Sequence, residues 1–108
     1  MSGGGGSGGI GPSGPTENID CQRLAFLTTL SSPQPAVVAT LSVGDVLDLD
    51  VRLSGGRNVI AAITPSGDVA GSITERTPDL LRCIQEGVSY VADVKAMNGG
   101  WIELRVHA

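Results

Sequence analysis

The sequence predicts a mainly β fold with one α-helix, built as a small, strongly curved sheet or barrel of about six short strands. Three observations predict it. Val46 to Leu53 alternates apolar and polar residues with period two. Turn signals recur at short intervals: "SVGD", "SGGRN", "PSGD" and "NGG". One stretch alone carries helix start and stop signals, "TPDLLRCIQEG".

The chain has 108 residues, enough for one domain. Residues 1–15, "MSGGGGSGGIGPSGP", are nearly all Gly, Ser and Pro and carry no charged side chain. Such a stretch buries too little apolar surface to offset its ordering entropy, so a disordered tail is expected there. It lacks the basic start and apolar run of a signal peptide. Residues 16–35 read as an extended edge segment. In "DCQRLAFLTTLSSP" the Thr pair and the following Ser-Ser-Pro favour an extended chain. Residues 36–108 hold the barrel-like domain.

Within that domain "AVVATL" reads as a buried strand. In the next strand Leu47, Leu49, Val51 and Leu53 point one way, and Asp48, Asp50 and Arg52 the other. "VIAAIT" is apolar on both faces, as a central strand should be. "VAGSI" follows, and Gly71 within it marks a bulge or a close backbone approach. Thr77 is the expected helix N-cap, Pro78 the first helical residue and Gly87 the C′ residue. Leu80, Cys83 and Ile84 share the apolar face of this helix, which is expected to pack on the final hairpin.

That hairpin pairs "VSYVADVKAM" with "WIELRVH". A three-residue loop, Asn98-Gly99-Gly100, sets Val94 against Leu104 and Ala96 against Ile102. It also sets Lys95 against Glu103 and Asp93 against Arg105. Apolar pairs then meet on one face and opposite charges on the other. Leu80, Ile84, Val94 and Leu104 are expected core residues.

Little in this chain points to catalysis, and no enzyme activity and no cofactor are expected. His107 is the single histidine and is expected in a frayed terminus, where a general base lacks held geometry. Cys21 and Cys83 are too few for a disulfide scaffold or a zinc site, and Cys83 reads as a small core residue. Asp48 and Asp50 stand about 7 Å apart on one strand face. A calcium site needs about six to eight oxygen ligands on a wrapping loop, so they read as the solvated side of the strand. No phosphate loop is present.

Binding is the remaining class. The net charge is −4, and Phe26, Tyr90 and Trp101 are the only aromatics. An acidic surface with few rings disfavours nucleic acid. Trp101, placed outward beside Met97, is the candidate anchor for a protein partner, unless the N-terminal segment covers it. Arg57 is the basic candidate for a nucleic-acid contact. No stretch has the roughly 20 apolar residues of a membrane span, so no membrane partner and a cytoplasmic setting are expected.

From Gly44 to Val106 the order of parts resembles the HIRAN domain family. The matching parts are Gly44-Asp45 before a strand, "VIAAITPSGDVAGSI" with Gly67 and Gly71, the helix "PDLLRCIQEG", and "YVADVKAMNGGWIELRV" with its Gly pair. The resemblance implies a small OB-like β-barrel. In some members such a domain binds the end of a single DNA strand, and bacterial members often accompany DNA-processing or phage-conflict enzymes. The family's DNA-contacting aromatics and basics lie mainly in its first half. Here that region offers Arg52 and Arg57 flanked by Asp45, Asp48 and Asp50, so no DNA-contacting residue carries over. Three functions follow as expectations: a module docking on a protein partner, a single-strand nucleic-acid binder, or an accessory subunit of an enzyme.

Overall fold

A computed structural model describes residues 20–108. The proposed tail at 1–15 lies outside them. In chain order the elements are β1 (Ala25–Thr29), α1 (Pro35–Val38), β2 (Val46–Ser54), β3 (Arg57–Ile63), β4 (Val69–Ile73), α2 (Thr77–Gln85), β5 (Val91–Asn98) and β6 (Trp101–His107). The six strands form one antiparallel sheet in the order β1-β6-β5-β2-β3-β4. It curls into a half-barrel, the mainly β architecture expected. The far ends of the sheet meet at one bridge, where Ser31 and Ser72 exchange backbone hydrogen bonds of 2.9 and 2.8 Å.

The inner face follows the period-two pattern. Leu47, Leu49, Ile60, Ala62, Ala92, Val94, Ile102, Leu104 and Val106 are buried in one cluster with Leu80 and Cys83. Ile60 to Ile63 are buried without a break, as a strand apolar on both faces requires. The alternation of β2 outlasts its cover: Val51 is half-buried and Leu53 is 75% exposed. Leu53 sits opposite Asn58 near the β2–β3 turn, beyond the cover of the core.

Gly71 is where the sheet closes. A Cβ added there would lie 2.6 Å from the Ser31 carbonyl oxygen and 2.7 Å from Leu30 Cγ. The β3–β4 register also shifts next to it, so Ala62 opposes Gly71 and Ile63 opposes Val69. Both readings of this glycine hold. Gly71→Ala should therefore force the seam apart and cost about 1–3 kcal/mol, the usual penalty for overpacking. Chemical denaturation checks this, and an unchanged midpoint would mean that the Ser31 strap yields freely.

Four expectations are corrected. "AVVATL" is not a strand: Pro35–Val38 form one helical turn, and the Ala39 and Leu41 amides bond back to Pro35 and Val38. Pro35 supplies a φ suited to a first helical position, and this outweighs the β preference of two valines.

The N-cap of α2 is Arg76, not Thr77. Its φ is 55°, and its carbonyl accepts the first helical bond from Leu80 N–H at 3.0 Å. The Arg76 guanidinium bonds Asp79 at 3.0 Å and lies 5.7 Å over the Phe26 ring. These contacts hold it in the left-handed region at some backbone cost. The other helix end is as expected. Gly87, at φ 100°, ends α2 with the Gly87→Ile84 and Val88→Cys83 bonds of a Schellman motif.

The backbone of α2 comes near β2, and its buried Leu80 and Cys83 lie in one cluster with Val94, Ile102 and Leu104 of the final hairpin. α2 is tied to the chain start by a disulfide, Cys21–Cys83, with Cα atoms 5.6 Å apart. Cys83 is buried as expected, but as half of a crosslink.

The final hairpin has the expected pairs Val94–Leu104 and Asp93–Arg105 at its base. Its tip differs. Gly99 and Gly100 make a two-residue turn with Asn98 opposite Trp101, and Gly99 takes the positive φ of 63° that such turns favour. A bulge at Lys95 absorbs the extra residue. Glu103 therefore faces Ala96, and Met97 faces Ile102. Of the four expected core residues, Leu80, Val94 and Leu104 are fully buried and Ile84 is partly so.

Candidate functional site

The three candidate binding residues are not brought together. β2 and β5 pair antiparallel, so the hairpins β2–β3 and β5–β6 project from opposite ends of the sheet. Arg57 stands at one end, Trp101 at the other.

At the Trp101 end the ring follows the Gly99–Gly100 turn directly and is 47% exposed. Met97 does not lie beside it on the surface. The Lys95 bulge turns Met97 inward, where it packs, half-buried, against the core. Next to the turn is a mainly apolar pocket of about 250 Å³, lined by Pro33, Pro35, Val38, Ala39, Gly99 and Gly100. α1 makes one wall and the hairpin turn the other. The prolines that hold "SSPQPA" in place thus shape this pocket.

At the Arg57 end a more polar cavity of about 400 Å³ lies between the β2–β3 hairpin and the start of α2. Ser54, Arg57, Asn58, Ser72, Thr74 and Thr77 contribute polar side chains to it. Other basic residues are spread over the surface, and four are already occupied, Arg23 by Asp20 at 3.7 Å among them. Arg52 pairs with Asp50 at 3.2 Å, Arg76 with Asp79 at 3.0 Å and Arg82 with Glu86 at 3.8 Å. Asp48 and Asp50 are on the exposed side of β2, as the alternation indicates.

His107 is not frayed. It is the last residue of β6, paired with Ala25 on one side and Val91 on the other. Its Nε2 is 2.8 Å from Asp93 Oδ2, and its Nδ1 is 2.9 Å from the Ala108 carbonyl oxygen. Both ring nitrogens are engaged, and among the described residues no third His, Cys, Asp or Glu joins them as a metal-ligand group.

Tyr90 is a buried polar residue that sequence reading did not single out. Its hydroxyl donates to the Cys21 carbonyl at 2.5 Å. Burial raises its pKa above the usual 10.0, and the nearby Asp20 and Asp79 raise it further. With the disulfide, this bond anchors the segment leading into β1. Neither contact has a local signal, because their partners lie more than 60 residues apart.

Compared with protein-family models, curated proteins and solved structures, the chain matches none. Among the described residues no helix is long and apolar enough to cross a membrane.

Proposed function

We propose that this protein is a non-enzymatic interaction module that docks on a protein partner at the end where Trp101 stands beside the pocket of α1 and the Gly99–Gly100 turn. That juxtaposition carries the reading. A half-exposed tryptophan next to a small apolar pocket offers both an anchor and a receptor, the combination that dominates protein interfaces. Met97 packs against the core rather than touching the partner. The partner belongs, on the HIRAN-like order of parts, to a bacterial DNA-processing or phage-conflict system.

A second reading has its own observation. Arg57 lines the more polar cavity at the opposite end, where the end of a single nucleic-acid strand would find one cation and several hydroxyl groups. Against it stand the ion pairs of Arg52, Arg76 and Arg82 and the net charge of −4. Phosphate contacts need clustered free cations.

A cytoplasmic setting keeps to the earlier expectation and carries a condition. Disulfides persist mainly in oxidising compartments. In the cytoplasm Cys21 and Cys83 would be held as thiols unless the pair is kinetically protected.

The test compares wild type, Trp101→Ala and Arg57→Ala as affinity baits in the source cells, with quantitative mass spectrometry. One partner should be recovered by wild type and Arg57→Ala and fall at least about tenfold with Trp101→Ala, as for a hot-spot truncation. Melting temperatures should stay within a few degrees. Submicromolar binding of single-stranded DNA or RNA at ~150 mM salt, lost in Arg57→Ala, would instead select the second reading.

A further inference from the structure

The tip of the last hairpin carries a pair of residues that docking alone does not explain. Asn98 closes β5 and stands opposite Trp101, and Gly99 follows it as the first residue of the turn. Asn98 and both glycines are exposed. Gly99 has a positive φ and Gly100 does not, the pattern of a type II′ turn. The ladder ends at the Asn98–Trp101 pair, and the Gly99 N–H takes no part in it. Among the described residues neither that N–H nor the Asn98 carboxamide has a hydrogen-bond partner. A Cβ placed on either glycine would meet nothing within 4 Å, so the turn rotates without striking a neighbour.

The other two asparagines lack this setting. Asn58 is followed by Val59, a β-branched residue that pairs with Arg52 in the β2–β3 ladder. Asn18 is followed by Ile19. Glycine matters at the second position because a Cβ there would crowd the approach of its own nitrogen to the asparagine side chain. It would also restrict the backbone rotation that the approach requires.

We infer that Asn98–Gly99 is a self-modification site, where the peptide nitrogen of Gly99 displaces ammonia from the Asn98 side chain. Solvent base removes the Gly99 N–H proton, and the nitrogen attacks Asn98 Cγ. The bond from Gly99 N to Cγ forms, and the Cγ–Nδ2 bond breaks as the leaving nitrogen takes up a proton. The products are ammonia and a five-membered succinimide ring. Water then adds to one of the two ring carbonyls. Opening at Cγ restores the main chain and leaves an aspartyl side chain. Opening at the α-carbonyl leaves an isoaspartyl link, with the main chain running through Cβ. Nothing is oxidised or reduced, and water is the only co-reactant.

Both products change the end of the molecule that holds Trp101. Each puts a carboxylate in place of an amide, next to the turn that walls a mainly apolar pocket. That carboxylate loses hydration when an apolar partner covers it. The isoaspartyl link also lengthens the main chain of a two-residue turn and breaks the register of the Asn98–Trp101 pair. Ageing of the protein therefore weakens docking, a consequence that rests on the proposed role of the Trp101 end; the modification itself does not.

The test follows the full, oxidised chain by peptide mass mapping during incubation at neutral pH, with tryptophan emission read on the same samples. Trp101 is the single tryptophan, so its emission reports this turn. Asn98 should convert at least about tenfold faster than Asn58, whose attacking amide is hindered. Isoaspartyl product should form, and the emission should shift in step. Gly99→Ala should slow the conversion, while Gly100→Ala, at a residue without positive φ, should not. An Asn98 that lasts as long as Asn58, or a conversion indifferent to Gly99→Ala, would overturn the inference. As an affinity bait, Asn98→Asp should recover the Trp101-dependent partner less well than wild type, and equal recovery would overturn the effect assigned to the new charge. Conversion with no Trp101-dependent partner found would support the site and sink the docking reading instead.

Discussion

Breaking the Cys21–Cys83 bond should lower stability by about 2–4 kcal/mol. The closed loop spans 62 residues. In the chain-entropy view a loop of that length restricts the unfolded ensemble by about 4 kcal/mol, and incomplete denatured-state expansion reduces the measured effect. The bond has no close substitute in the native contacts. α2 is a short helix held by Leu80 and Cys83 in the core, and the segment before β1 is otherwise held by Tyr90 and by Leu24. Urea unfolding with and without reductant, and of Cys21→Ala/Cys83→Ala, measures it. Both should shift the midpoint down by similar amounts. Two free thiols in protein purified without reductant would show that the bond does not form.

Leu104→Ala should cost about 2–5 kcal/mol and at least about 8 °C in melting temperature. Leu104 has no exposed surface and stands between Thr28 of β1 and Val94 of β5, at the middle of the inner face. Three strands depend on its volume. An unchanged melting temperature in thermal circular dichroism would contradict this packing.

What the sequence made legible was local. The alternation in β2, the turn at Gly67, the C-terminus of α2 and the base of the last hairpin each depend on residues a few positions apart. The tip of that hairpin was misjudged because two arrangements satisfy the same inner pairs. A three-residue loop keeps them directly, while a Gly-Gly turn keeps them only with a bulge at Lys95. The second arrangement packs the half-buried Met97 against the core opposite Ile102, a gain that is invisible until the register is known. The short helix at Pro35 was lost for a similar reason, since two valines suit a strand unless a neighbouring strand is missing. For the site, the exposure of Trp101 could be read, but its pocket could not. α1 and the Gly99–Gly100 turn lie more than 60 positions apart, and only the closed sheet brings them together. The disulfide is equally long-range.

The pairing of β1 with β6 has a consequence for how the protein is made. Phe26 and its partner Val106 stand 80 positions apart in the chain. On a ribosome adding about 5–20 residues per second, the first strand waits several seconds for the last one. The β2–β3–β4 meander can form during that wait, and Cys83 becomes available to Cys21 before β6 has emerged. A crosslink made then would park the leading strand beside the growing sheet until its partner arrives. "AFLTT" is meanwhile an uncharged β-forming segment in a nascent chain, so the order of oxidation and synthesis sets how long it is open to the wrong neighbour.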